Sequence, residues 1–221
     1  MNAGGEGPAP PRYIVVEGPI GVGKTSLAQR LAATFGYETL LEKPAENPFL
    51  SRFYAERRSN ALPTQLFFLL QRAEQLRTWR QEDLFEPVRV ADFLMEKDQL
   101  FAELTLDEAE LELYRGVYEH LTIEAPTPDL VIYLQAPSDV LLERIRRRGI
   151  PSERTIEADY LDALSEAYAR FFHFYDRAPL LIVNAAEIDL VEDDDQYQRL
   201  VEVVLSPGSV RSYFNPRPSL I

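Results

Sequence analysis

The chain has 221 residues, 46% of them hydrophobic and 27% charged, which fits one globular domain with a full core rather than two large ones. It holds no cysteine and two histidines, so a disulfide framework, a thiolate metal site and a histidine-rich one are excluded. A net charge of −13 repels nucleic-acid backbones, no stretch has the length and apolarity of a membrane span, and the start lacks a secretory pattern; a cytoplasmic chain with neither nucleic-acid nor membrane partners is expected.

In chain order, the Gly/Pro-rich stretch Met1–Pro11 reads as a loose tail. Five short apolar runs then predict strands: Arg12–Glu17, Tyr37–Leu41, Val88–Asp92, Asp129–Gln135 and Leu180–Asn184. Helical patterns fall between and after them at Lys24–Phe35, Pro48–Arg58, Pro63–Gln81, Leu106–Leu121, Asp139–Arg148 and Glu157–Asp176. Several strands are almost continuously apolar, as strands buried on both faces are. The alternation predicts an α/β fold, a five-stranded parallel sheet flanked by helices on both faces, within a single domain spanning 12–205. The acidic run Glu192–Asp195 reads as a solvated loop or helix start, and Ser206–Ile221, with three prolines, as a second tail.

The turn after the first strand carries the chemistry. Gly18, Pro19, Ile20, Gly21, Val22, Gly23, Lys24 and Thr25 satisfy the phosphate-loop pattern, with a strand before them and a helix opening at Ser26. The glycines let backbone N–H groups turn inward around phosphate oxygens, and the helix N-terminus adds partial positive charge. Lys24 then bridges β- and γ-oxygens, and Thr25 binds Mg²⁺. The implied ligand is a nucleoside triphosphate; the alternative is a Gly-rich turn with a chance Lys-Thr, which predicts no nucleotide binding. A switch GTPase would need Asp-x-x-Gly and Asn-Lys-x-Asp segments, and neither occurs.

Glu42 closes the second strand, where a doubly wound sheet delivers side chains into the cleft outside its strand ends. A carboxylate facing the γ-phosphate there takes a proton from an attacking hydroxyl, a contribution of about 10²–10⁴-fold in rate. The alternative is a solvated Glu beside Lys43. The third strand ends at Asp92, where phosphate-loop enzymes place an acid that holds Mg²⁺ directly or through water. Gln65 and Arg72, seven residues apart, project from one face of the helix Pro63–Gln81, so one ligand can touch both. Either residue taken alone reads equally well as solvated.

Over Tyr13 to Val204 the chain resembles the deoxyribonucleoside kinases, phosphate-loop kinases, in particular the bacterial enzymes acting on deoxyadenosine, deoxyguanosine and deoxycytidine. The resemblance implies transfer of the γ-phosphate of ATP to the 5′-hydroxyl of a deoxynucleoside in nucleotide salvage, with Mg²⁺ as cofactor and Glu42 as base. Tyr54, eleven residues before Gln65, matches the sugar-binding tyrosine, Gln65 the base-reading amide, and Arg72 extends the match. Tyr54 reads equally as a packing aromatic beside Phe49 and Phe53. Glu153 matches a lid carboxylate at the sugar 3′-hydroxyl, and Asp98, with Lys97 beside it, lies near a base-contacting acid. In that family the segment after the third strand reads acidic-Arg-Ser, its arginine helping at the reacting phosphate; here Phe93 and Leu94 follow Asp92.

Arg144-Ile-Arg146-Arg147-Arg148-Gly149 resembles the family's arginine-rich lid, here placed around 144–154. Arg144 and Arg148 share a helical face, and an arginine stabilising the transferring phosphoryl group is worth about 10³–10⁵-fold. A solvated helix end is the alternative. Two rival functions remain at this level. A thymidylate-type monophosphate kinase would want an extra arginine where Phe93 stands, and a regulatory ATP-binding module would phosphorylate no small molecule. Arg72, with Asp98, leaves room for purines as well as deoxycytidine, because amide and guanidinium groups serve more than one base edge, and purine deoxynucleosides are the expected substrates. A homodimer is implied by the resemblance.

Overall fold

The structure is a computed structural model that describes residues 10–82, 88–121, 125–188, 190, 193–206, 208 and 210–215. Its first strand, β1 (Tyr13–Glu17), is buried throughout and leads through the phosphate loop into α1 (Lys24–Phe35). β2 (Glu38–Leu40) is followed by a 3-10 turn at Pro44–Glu46, α2 (Leu50–Ala55) and the long α3 (Arg57–Glu82). β3 (Arg89–Ala91), α4 (Lys97–Thr105) and α5 (Glu108–His120) come next. β4 (Leu130–Gln135), α6 (Ser138–Arg148), a 3-10 turn at Pro151–Glu153 and α7 (Ala158–Phe174) precede β5 (Leu180–Asn184). The chain closes with α8 (Asp194–Leu205) and β6 (Arg211–Phe214).

All strands pair in parallel, in the order β2-β3-β1-β4-β5-β6. Period-2 alternation divides the core between the two faces of this sheet. Ile14, Val16, Ile132, Leu134, Leu181 and Val183 pack with Leu27 and Leu31 of α1, Leu141 and Ile145 of α6, and Leu200 and Val204 of α8. Tyr13, Val15, Val131, Tyr133 and Leu180 face the other way, onto Leu69 and Leu76 of α3, Tyr114 of α5, and Leu164, Tyr168 and Phe172 of α7. The last three recur every fourth residue and so form one helical stripe. Removing each such Leu, Ile or Val from water contributes about 1.5–3 kcal/mol.

The α/β class and parallel sheet are as expected, but the sheet has six strands, not five. The sixth comes from the stretch expected to be a C-terminal tail. Arg211–Phe214 lacks an apolar run because only Phe214 is buried, an edge strand needing one apolar face at most. Of the N-terminal tail expected at Met1–Pro11, all but the last two residues lie outside the described set. The helices expected at Pro48–Arg58 and Pro63–Gln81 instead divide at Glu56, whose φ is −139°. Pro63 lies inside α3. Its missing N–H is tolerated there, and the neighbouring Thr64 hydroxyl donates to the Asn60 carbonyl at 2.7 Å. The helix expected from Leu106 starts at Glu108, because Asp107 caps it by accepting from the Glu110 N–H at 3.0 Å. α4 has no counterpart among the expected helices, and α8 opens at the acidic run that reads as a solvated loop or a helix start, the second alternative being the one found. Asp193 caps α8, and Asp194 and Asp195 stand in its first turn, where a helix dipole favours acids.

Candidate active site

Two phosphate-loop glycines sit where no side chain fits. A Cβ on Gly18, at φ 148°, would come within 2.5 Å of the Leu134 carbonyl oxygen. One on Gly21, at φ 85°, would come within 2.8 Å of Ile145 Cγ1 and 2.9 Å of the Leu141 carbonyl oxygen. The loop is thereby wedged between β4 and α6. Gly23 precedes α1 without any side-chain cap, so the first helical N–H groups remain available to an anion. Lys24 folds its ammonium back onto the loop, donating to the carbonyls of Gly18 at 2.7 Å and Pro19 at 3.2 Å.

The strands β2, β3 and β1 lie side by side, and the residues just beyond the ends of β2 and β3 meet. Thr25 Oγ1 donates to Asp92 Oδ2 at 2.5 Å, and the Glu42 backbone N–H donates to Asp92 Oδ1 at 2.7 Å. Arg72, crossing from α3, binds Glu42 through Nε at 2.8 Å and again through Nη2, while its Nη1 binds Asp98. Lys97 Nζ lies 3.0 Å from the same Glu42 oxygen. Burial by itself raises the pKa of Glu42, but Arg72, Lys97 and Lys24 outweigh it and hold the carboxyl well below the usual carboxylate range. Asp92 goes the other way: burial raises it, the Glu42 charge adds to the rise, and the bonds from Thr25 and the Glu42 N–H only partly offset it. Lys24 is lowered by burial and by the like charge of Lys97.

A single cavity is walled by Gly21, Lys24, Thr25, Glu42, Tyr54, Gln65, Arg72, Asp92, Lys97, Arg148 and Glu153, all singled out in the sequence. Gln65 and Arg72 are buried, so the solvated alternatives describe neither. Gln65 Nε2 donates to Thr105 Oγ1 at 3.3 Å. Glu42 is likewise not a solvated partner of Lys43, whose ammonium lies 3.5 Å from Glu46 instead. Tyr54 both packs and lines: its ring lies 5.5 Å from that of Phe53, and burial with Tyr160 and Glu153 nearby pushes its hydroxyl well above the usual value. Asp98 stands behind Arg72 rather than in the wall, fully buried, with Oδ2 lacking a partner among the described residues.

The lid residues divide between two cavities. Arg148 is gripped by Glu153 through bonds of 2.6 and 2.7 Å and reaches the cavity that holds Glu42. Arg144 lies on the other side of the loop, donating to the carbonyls of Ala185 at 2.7 Å and Val22 and Ile188 at 3.4 Å. There it lines a second cavity with Gly23, Ser26, Arg147 and Arg148. Arg144 is therefore not brought together with Glu42.

Glu17 belongs to the site although no motif in the sequence singles it out. This carboxylate accepts from the Gly18 N–H at 3.0 Å, the Leu94 N–H at 2.7 Å and the Tyr168 hydroxyl at 3.0 Å, tying the loop to the segment after β3. A charge ending a strand that is otherwise apolar was the available signal.

A family model described as deoxynucleoside kinase matches residues 14–206. A deoxyguanosine kinase of Bacillus subtilis (strain 168) is 39% identical over 158 residues, 71% of this chain and 76% of that protein. A deoxyadenosine/deoxycytidine kinase of the same strain is 27% identical over 203 residues, 87% of this chain and 91% of that one. A solved structure of deoxyadenosine kinase from M. mycoides with bound dATP superposes with a TM-score of 0.74 at 24% identity, covering 86% of this chain and 99% of that one, a likeness of fold.

Proposed function

This chain belongs to the deoxynucleoside kinase family and is a deoxynucleoside phosphotransferase, and we propose that it moves the γ-phosphate of ATP to the 5′-hydroxyl with Glu42 receiving the proton. The observation that carries this reading is the shared wall: Lys24, Thr25, Glu42, Gln65 and Arg72 all line one cavity, with Arg72 bonded directly to Glu42.

The triphosphate lies in the loop of Gly18 to Ser26, with the donor base toward the second cavity beside Arg144. The deoxynucleoside fills the acceptor cavity, its sugar against Tyr54 and Glu153 and its base against Gln65 and Arg72, with Asp98 behind the guanidinium. Transfer to a hydroxyl passes through a loose transition state in which little proton movement has occurred. An ionised carboxylate fixed by Arg72 and Lys97 therefore serves chiefly to aim the hydroxyl, and it accepts the proton as the new bond forms. Arg148 closes over the phosphoryl group from the lid.

Magnesium fits the Thr25 hydroxyl and Asp92 carboxylate, two hard oxygen donors beside a site where phosphate and water complete the shell. When bound, the ion neutralises charge on the phosphates.

The 39% identity to a deoxyguanosine kinase supports purine deoxynucleosides as substrates. A cytoplasmic homodimer is also proposed, supported by Phe174 of α7, 75% exposed in a groove between α4 and α7 where Leu100, Leu104 and Phe171 are joined by Glu103 and Arg170; a monomeric mass in sedimentation would refute it. The functional test is transfer of label from γ-labelled ATP to a panel of deoxynucleosides and monophosphates. Deoxyguanosine and deoxyadenosine become labelled and monophosphates do not; label on monophosphates alone would replace this reading with a monophosphate kinase.

A further inference from the structure

Lys97 opens α4 with its side chain buried, an uncommon state for a lysine. Its ammonium lies 3.0 Å from Glu42 Oε1 and 3.4 Å from Glu17 Oε1. Glu17 also holds the Leu94 N–H, and the Lys97 N–H donates to the Leu94 carbonyl at 3.1 Å. One carboxylate thus fixes both the first residue of the phosphate loop and the turn that aims Lys97. Phe93, where the resemblance expects an arginine, is buried in the core and carries no charge to the site.

We propose that Lys97 supplies the cation missing at Phe93: its ammonium contacts the transferring phosphoryl group and fixes the Glu42 carboxylate beside the attacking oxygen. This rests on the phosphotransfer reading of the same cavity. In the step, the bond from γ-phosphorus to the bridging oxygen breaks and its electron pair leaves with ADP. The 5′-oxygen bonds to phosphorus and its proton passes to Glu42. Lys97 exchanges no proton; it balances charge spread over the phosphoryl oxygens. It has the position for this because it lines the cavity with Lys24 and Glu42, whereas Asp98, the next residue, points to Arg72 at the base end.

The test compares the full chain with Lys97→Met, Lys97→Gln and Lys97→Arg. Phosphorylation of a deoxynucleoside by the parent chain comes first; if the parent labels none, the functional reading fails and this assignment with it. Given an active parent, Met and Gln are expected to lower kcat by about 10²-fold or more, as loss of one preorganised charge donor does. The KM for the deoxynucleoside, the ADP dissociation constant and the ratio of kcat/KM among bases should stay near parent values, and Arg should recover much of kcat. Binding of aluminium fluoride with ADP and deoxynucleoside, which imitates the transferring group, should weaken with kcat. Unchanged kcat in folded Lys97→Gln, or a loss confined to base preference, overturns the proposal. So does an Arg variant no better than Met, or failure of all three variants to fold, which would make Lys97 a structural counter-ion.

Discussion

Glu42 takes hydrogen bonds from Arg72 and an ion pair from Lys97 through the same oxygen, leaving its other oxygen for a ligand hydroxyl. Glu42→Gln keeps the shape and removes the proton acceptor, so kcat should fall by about 10²–10⁴-fold with ADP binding retained, checked by steady-state kinetics and calorimetry. Its pKa is lower folded than unfolded, so its stability contribution is complete above the ordinary value of 4.5 and is lost as pH falls toward the folded value. The melting temperature of Glu42→Gln should thus lie below that of the parent at pH 7, with the gap closing below pH 4.5. Asp92 has the opposite sign. Its raised pKa means that ionisation costs stability at neutral pH, a cost relieved as pH falls through the folded value. Asp92→Asn should raise the melting temperature of the ligand-free chain at pH 7 while turnover collapses, a trade of activity against stability. Equal or lower melting would remove that account. Glu42, Gln65 and Arg72 were legible because a strand end or a seven-residue spacing fixes where a side chain goes. Lys97 was not placed by such reasoning, because its direction depends on a tertiary contact, Glu17 with Leu94, that no local pattern encodes.

At the scale of elements, β1, β4 and β5 announce themselves because both faces are covered and nearly every residue is apolar. α4 hides because its buried side includes Lys97 and Asp98, which break an apolar stripe for the sake of the site. α8 is only half legible: its acidic first turn reads as a solvated loop or a helix start, and the helix dipole that the acids complement favours the second. The phosphate loop and α6 form one joint, and Gly21 is where they touch. Gly21→Ala adds a Cβ 2.9 Å from the Leu141 carbonyl oxygen in a backbone conformation that L residues avoid. Gly36, at φ 70°, caps α1 with open space around it. Gly36→Ala should therefore cost only the conformational term, about 1–2 kcal/mol, and leave the KM for ATP unchanged. Gly21→Ala should lose more stability and raise that KM as well; equal effects of the two changes in melting and kinetics would show that the joint is not tight.

For the molecule as a whole, order β2-β3-β1-β4-β5-β6 puts the site on one half of the sheet and the edge strand β6 on the other. Glu42, Asp92 and Glu17 sit at or just beyond the ends of β2, β3 and β1, whereas β6 lies two strands beyond β4, the neighbour of β1. β6 shields β5 through the register Leu180↔Arg211 to Val183↔Phe214. Arg211 adds donations to the carbonyls of Phe172 at 2.8 Å, His173 at 3.1 Å and Tyr175 at 3.3 Å, fastening the C-terminal end of α7. A chain ended after Ser206 loses these bonds and the burial of Phe214, and it uncovers the edge of a strand rich in Leu, Ile and Val. Such an edge is a template for pairing with another chain. The truncated protein should melt several degrees lower, since about 1 kcal/mol shifts a domain of this size by about 2–4 °C, and should self-associate with rising concentration in light scattering. Its folded fraction should keep the parent kcat, because no described residue of β6 lines the acceptor cavity. Melting and scattering identical to the parent would mean that the sixth strand contributes nothing to the sheet it completes.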